Sequence, residues 1–495
     1  MENPATNTTN PSHPSFNWVG EPNQRGTFGI ISLCFSTLII CIWSTLHFNV
    51  PIRRYTDTHR FFLHVFWMLI ALLAPEVLLY FAIQERIKAG ELLTKVLKFH
   101  PHLAKPGVFT RMYHRIRGPA EPKDVSAQCQ AYVIQLLTVT EQKRYNPIEQ
   151  RHFGLVHAFY AMMGGFAFYA SFDDDTPKSL SWKSTNPLYP VDVPQIDTLI
   201  YIMEHFPDIL ADITEGDILD RAASSSLGKA LLIVQVAWFC TNCASRLFQR
   251  LPLSLLEVST AAHGLCTLLT YFVWWSKPVN VPTPTLLREK QAREVYALLK
   301  CSGDEYYKAL EMAQKRGRGD SSTPTGLHKI VLAAGVLQQI PNPMRPPIHL
   351  GFNNRGRMLN PGTFNFRHMA VKGFSKPITV TISPILYGVV HFLAWSNQFP
   401  TPLERVLWRV SSLVVTCSGL VEVIIFILDS LIQDRHGTVP SMIEWLASVM
   451  FFLVVPSAHV LASGFLIVES VRQLLFLDAA AYQLPLWSNY WPHFS

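Results

Sequence analysis

The sequence predicts an all-α fold, a polytopic transmembrane helix bundle of about eight spans with partly structured loops, and three observations carry that prediction. Apolar residues make up 49% of the chain while charged residues make up only 16%, below the usual quarter. The apolar residues are gathered into stretches of about twenty, the length a helix needs to cross the hydrocarbon core of a bilayer. Each stretch is also continuously apolar, whereas a barrel strand alternates apolar and polar residues over about ten positions.

The elements follow in chain order. Residues 1–26 form a polar segment with neither a basic start nor a short apolar core and small-residue cleavage site, so no secretory signal peptide is expected, and Asn7-Thr8-Thr9 is a glycosylation sequon. Residues 27–83 hold a first transmembrane pair, with spans at 27–50 and 61–83. Residues 84–152 are a basic loop containing ERIKAGELLTKVLKFH, in which Ile87, Leu92, Leu93 and Leu97 share one helix face. That face predicts a helix lying on the membrane surface with its leucines in lipid.

A weak span is expected at 153–172, followed by an acidic, Pro-rich loop at 173–226 in which Thr214 is placed to cap a short helix. A transmembrane hairpin occupies 227–275 and ends on Trp274-Trp275, an aromatic pair suited to the headgroup level. The basic loop 276–377 opens with a charged helix over 285–300 and continues through sequence rich in Pro, Gly and Asn. Three further spans lie within 378–470, and an aromatic tail, 471–495, closes the chain.

Arg53, Arg54 and Arg60 follow the first span, which places that loop inside and the N-terminal segment outside. The 276–377 loop then faces the cytoplasm, in keeping with Lys315, Arg316 and Arg318. The equally basic 84–152 loop does not fit an eight-span scheme, so either the first pair does not fully cross or this loop escapes the charge rule. The net charge of +7 is spread over loops between spans, which implies anionic lipid headgroups as partners and no nucleic acid. Most of the eight cysteines lie in apolar stretches as small packing residues, and Cys240-x-x-Cys243 lacks the second ligand pair of a zinc site.

Several runs resemble segments of a known family: HAFYAMMGGF at 157–166, the run 204–220, LPLSLLEVSTAAHGLCTLLTYFVWWSKPVNV at 251–281, AWSNQFPTPLERVLWRVSS at 394–412, and the ending YQLPLWSNYWPHFS. Together they resemble a large family of uncharacterised fungal multi-pass integral membrane proteins, over nearly the whole chain. The resemblance implies a fungal source and a multi-pass protein, and it implies no activity.

Function must then be sought among ionisable groups within apolar stretches, since such groups are costly there, about 2.5 to 3.5 kcal/mol for Asp, Lys or Arg at the centre of a span. They are Glu76 beside Pro75, Glu257, His263, His391, Glu422 and His459. Glu257, His263, Glu422 and His459 are the candidate catalytic residues; the alternative for each is an interhelical hydrogen bond with no chemical role. Glu257 and His263, six positions apart, point to opposite sides of a helix, so a partner for Glu257 has to come from another helix or from Arg246 and Arg250. Asp173, Asp174 and Asp175 close one stretch and Asp429 and Asp434 follow another. On a shared face these carboxylates would form a metal site for magnesium, able to neutralise the diphosphate of an isoprenoid substrate.

The sequence contains no Gly-rich phosphate loop, no His-Glu-x-x-His and no Gly-x-Ser-x-Gly. The favoured reading is a membrane-embedded enzyme of lipid or isoprenoid secondary metabolism, acting on a lipophilic small molecule. The alternative is a transporter or channel, and a sensory or scaffold protein is third. Either membrane, endoplasmic reticulum or plasma membrane, suits the sequence.

Overall fold

The computed structural model describes residues 25–51, 57–104, 152–169, 191–211, 213–222, 226–301, 303–317, 328–339, 352–353, 375–436 and 441–484. Helix α1 (Thr27–Ser44) carries no formal charge, and its 18 residues rise about 27 Å at 1.5 Å each. Ile30, Cys34, Leu38 and Cys41 recur at helical spacing and are buried, while Phe28, Ile39 and Trp43 are exposed on other faces. An exposed apolar face of that length suits lipid better than water.

Helices α2 (Asp57–Leu73) and α3 (Pro75–Phe99) form one apolar run broken at Ala74, with a bend of 104°. The break follows from Pro75, which has no N–H to continue α2 but is well suited to the first turn of α3. Glu76 is thereby placed in the first turn of α3.

Residues 153–172, expected to be a span, are instead α4 (Leu155–Met162) and strand β1 (Phe166–Tyr169). Eight helical residues rise only about 12 Å, too little to cross a bilayer. The turn between them needs Gly164, whose φ of +85° is a left-handed conformation, and Gly165, where a Cβ would meet the Tyr160 ring. β1 pairs antiparallel with β2 (Val191–Pro194) and parallel with β3 (Thr285–Leu287), and β2 pairs antiparallel with β4 (Phe352–Asn353). The sheet order is β3-β1-β2-β4, so the fold is mostly helical with a small sheet rather than all-α.

Helices α5 (Ile196–His205) and α6 (Glu215–Arg221) follow β2. α6 begins at Thr214, whose hydroxyl accepts from the Asp217 amide at 3.1 Å while Asp217 reaches back to the Thr214 amide at 3.1 Å. The second half of α3 packs on α4 and α5. Leu92 is buried there, with Leu93 and Leu97 packed against the same core. The expected surface helix is therefore the continuation of α3, and its leucines face other protein elements, not lipid. Amphipathic spacing reports a buried face but not what buries it.

α7 (Ser226–Phe248) and α8 (Leu255–Val273) form a hairpin. α8 is the buried centre of the bundle, packed by α1, α3 and α7, and this accounts for its unusual load of Ser, Thr, Glu257 and His263. Cys243, on α7, packs with Cys34 and Cys266 in one apolar cluster. Next come α9 (Lys290–Lys300), α10 (Gly303–Gly317) and α11 (His328–Leu337), whose inward faces join α3, α4 and α5 in one apolar core. Strand β3 takes up the start of what the sequence predicts as a helix over 285–300.

The last helices are α12 (Ser375–Gly388), α13 (Pro402–His436), α14 (Ser441–Val449) and α15 (Val455–Arg472), the last two joined by a π-helical turn at Met450–Val454. Among the described residues, four helices are long and apolar enough to cross a membrane: Thr27–Ser44, Gly228–Phe248, Pro402–Ile425 and Trp445–Phe476. The bent pair Thr58–Leu73 and Pro75–Phe99 makes five if it is one span, and Thr379–Ala394 is a shorter apolar helix. Among the described residues, length and composition thus give fewer than the eight spans expected: Pro75 and Gly164 break two of the stretches into shorter pieces, and α8, though unbroken, carries too many polar residues.

Candidate functional site

Glu76, at the broken end of α3, points into the bundle, where its Oε1 lies 2.7 Å from Nε2 of His459 on α15. The contact is short but poorly aligned as a hydrogen bond, so it is best described as an ion-pair contact. The second oxygen, Oε2, is buried without a partner. On the other side of the ring, His459 Nδ1 is 3.0 Å from Ser418 Oγ on α13, and that hydroxyl is also 3.0 Å from the Val415 carbonyl. A serine has one proton to give. If Ser418 donates it to Val415, His459 must donate to Ser418; if His459 Nδ1 is bare, Ser418 donates to the ring. The serine thus reports which nitrogens of His459 carry protons.

Glu422 follows Ser418 by four residues and so lies on the same face of α13. It is half-buried, and no hydrogen bond or ion pair among the described residues reaches it. Glu76, His459, Ser418 and Glu422 line one cavity of ≈ 310 Å³. Its other walls are apolar or aromatic: Val77, Val380, Pro384 and Val460, with Tyr80, Phe451 and Phe452. Ser383 also lines it, with a buried hydroxyl that has no partner. Pockets of this size with a few convergent polar groups are typical small-molecule sites.

Two of the four candidate catalytic residues, Glu422 and His459, are therefore brought together. The other two lie elsewhere. Glu257 belongs to the N-terminal cap of α8, accepting from the Ser254 amide and hydroxyl at 2.9 Å each. It is also clasped by Arg25 at 2.5 and 3.0 Å. Arg25 and Arg246 in turn donate to backbone carbonyls at Ala481 and Gln483, tying the chain's later part to α8. Both Glu257 oxygens are occupied in holding the bundle together.

His263 is 2.7 Å from the Leu72 carbonyl and 2.9 Å from the Ser259 carbonyl. Leu72 is at the end of α2, where the break leaves carbonyls with no helical partner, so His263 satisfies the break next to Glu76. His391 is buried against the rings of Tyr387 and Trp408.

The expected magnesium ligands are not among the described side chains. Asp173, Asp174 and Asp175 lie outside the described residues, as do the side chains of Asp429 and Asp434, whose backbone belongs to α13. Among the described residues no group of three or more His, Cys, Asp or Glu is placed to hold a metal ion.

Sequence reasoning singled out Glu76 for its cost in an apolar stretch but not as a site residue, and it passed over Ser418. The available signal was Ser418 four residues before Glu422, a polar pair on one face of an apolar helix.

The chain belongs to a family of unknown function (DUF8562), whose model matches residues 2–306 and 375–494. The residues that line the cavity all fall within the matched segments. No curated protein and no solved structure matches the chain.

Proposed function

We propose that this chain is a multi-pass, membrane-embedded enzyme that transfers protons to and from a lipophilic, isoprenoid-type substrate held in the cavity between α3, α12, α13 and α15. One observation carries the proposal: ionisable side chains from three helices converge in a cavity whose remaining walls are largely apolar and aromatic. Ionisable groups within apolar helices are costly, and their convergence at one cavity is the usual mark of function.

The chemistry follows from the partners. Glu422, held by no hydrogen bond or contact ion pair among the described residues, is the acid that donates a proton to a carbon–carbon double bond. The rings of Tyr80, Phe451 and Phe452 line the same cavity and would stabilise the resulting positive charge. Glu76, held at Oε1 by His459, accepts a proton at Oε2 from a neighbouring carbon. One proton enters the substrate and one leaves, so the substrate is isomerised or cyclised without a co-reactant. Exchange with water then restores the two carboxyl groups.

That exchange supplies the test. Purified protein in lipid nanodiscs is incubated in D2O with a membrane lipid extract, and lipids are screened by mass spectrometry for deuterium fixed on carbon. The wild type is expected to label at least one lipid, and Glu422→Gln and Glu76→Gln to abolish the labelling. If no lipid gains deuterium above a heat-inactivated control, the enzymatic reading falls.

Transport is the second reading, favoured by the 104° break at Ala74, since broken helices with ends at an interior site are a recurring feature of transporters. Uptake of a lipophilic solute into proteoliposomes, lost in Glu422→Gln, would support it in place of catalysis.

A further inference from the structure

Among the described residues, the ionisable atoms of the cavity that lack a hydrogen bond or contact ion pair are carboxyl oxygens. The Glu422 carboxyl has no hydrogen bond or contact ion pair among the described residues, His459 acting on it only through space, and Glu76 keeps one oxygen buried and unbonded although the other meets His459. Glu76 is only 2% exposed and Ser383 1%, so neither is satisfied by solvent at the surface. Among the described lining residues, His459 is the one able to carry positive charge, and it is engaged with Glu76. Around them stand three aromatic rings, whose faces attract cations.

We infer that the cavity binds a lipophilic cation, a quaternary or protonated ammonium on an apolar body, with Glu422 as its counter-ion. This rests on the reading that the cavity takes a lipophile and adds the charge of that lipophile. A neutral alcohol would meet the Glu76 oxygen and the Ser383 hydroxyl but would give Glu422 no ion pair. An anion would face two carboxyl groups. A cation satisfies Glu422 directly and gains from Tyr80, Phe451 and Phe452, and its apolar body is matched to Val77, Val380, Pro384 and Val460. The same charge distribution is the one needed to stabilise a cationic carbon during the proposed reaction, so an ammonium would act there as an unreactive mimic.

The experiment compares two probes of one shape that differ only in charge, benzyltrimethylammonium and neopentylbenzene, titrated calorimetrically into the purified full chain. The wild type is expected to bind the ammonium at least about tenfold more tightly, the scale of a desolvated cation–π contact combined with an ion pair. Glu422→Gln should remove that preference while leaving the binding of neopentylbenzene unchanged. Val460→Trp, at the cavity wall, should weaken both probes and so locate the site. Equal binding of the two probes by the wild type overturns the inference while leaving a lipophile cavity and the proposed enzyme standing. An ammonium preference that survives Glu422→Gln overturns the assignment of the counter-ion. Binding of neither probe also overturns the inference, and deuterium labelling decides the enzymatic reading independently. The wild-type comparison needs no variant, so a Glu422→Gln protein that fails to fold does not remove the test.

Discussion

Replacing Gly419 by alanine should destabilise the bundle, and the reason lies in Pro384. Pro384 is inside α12 and has no N–H, so the Val380 carbonyl four residues earlier loses its helical donor. That carbonyl faces Gly419 of α13: a Cβ added there would collide with the Val380 oxygen, 2.9 Å from its carbonyl carbon and 3.0 Å from Pro384 Cγ. The glycine lets the two backbones approach closely. Alanine brings a helix-propensity gain of about 0.5 to 1 kcal/mol, but overpacking costs about 1 to 3 kcal/mol, and overpacking wins here because backbone atoms cannot step aside as a side chain can. Gly464 on α15 is the control, since a Cβ there meets nothing within 4 Å. Thermal unfolding of detergent-solubilised protein should show a lower midpoint for Gly419→Ala and an equal or higher one for Gly464→Ala. Equal midpoints for the two variants would refute the argument that α12 and α13 meet backbone to backbone.

Three further outcomes follow from named contacts. Glu76→Gln and His459→Gln should each cost about 3 to 5 kcal/mol, because each leaves a buried charge alone, while the double variant should cost less than the sum; additive losses in a denaturation cycle would show that the pair is not coupled. Thr214→Ala should cost about 1 kcal/mol locally and speed amide exchange in α6; the Thr214 hydroxyl and then its amide hold the Asp217 carboxyl below its ordinary value of 3.8, so this cap's contribution is present above that value and is lost as pH falls through the lower folded one. Burial, and then the 2.8 Å hydrogen bond to Asp192, raise the Tyr296 phenol above its ordinary value of 10, so the native state holds this proton more tightly and the associated stability is lost only as pH rises past about 10. Tyr296→Phe should therefore shallow the alkaline loss of stability measured by circular dichroism, and an unchanged alkaline profile would refute this.

The fold was legible where one segment decides its own structure. α1 is plain in the sequence because its 18 uncharged, mostly apolar residues are long and apolar enough for a helix that could cross a membrane. Thr214 was legible as a cap because its partner Asp217 is three residues away. What was not legible depends on distant partners. The FAFY strand is as apolar as a span, and only its pairing with residues 191–192 and 285–287 makes it β1. Leu92 looks the same on a membrane-surface helix and on a helix packed against α4 and α5, since both bury one face. The candidate site was half legible for the same reason: Glu422 and His459 stand out by cost, but nothing local distinguishes them from Glu257, whose two oxygens are taken by Arg25, 232 residues away.

The break between α2 and α3 connects these strands of reasoning. A helix interrupted amid apolar surroundings leaves carbonyls and N–H groups unsatisfied, and such a break persists only where protein groups replace the lost bonds. Pro75 removes one donor, and His263 supplies the Leu72 carbonyl at 2.7 Å. The gain is positional: the bend of 104° puts Glu76 in the first turn of α3, where the helix dipole favours a carboxylate, and carries it to within 2.7 Å of His459. On this argument His263 is a positioning residue that acts through the break, and Glu76 is the group it places. His263→Ala should then loosen the break and lengthen the Glu76–His459 contact, whereas His263→Gln, whose amide can still donate to the Leu72 carbonyl, should retain most of both the stability and the benzyltrimethylammonium affinity. Equal losses of affinity in the two variants, at equal fold stability, would mean that the imidazole itself takes part at the cavity and that its hydrogen bond to Leu72 is incidental.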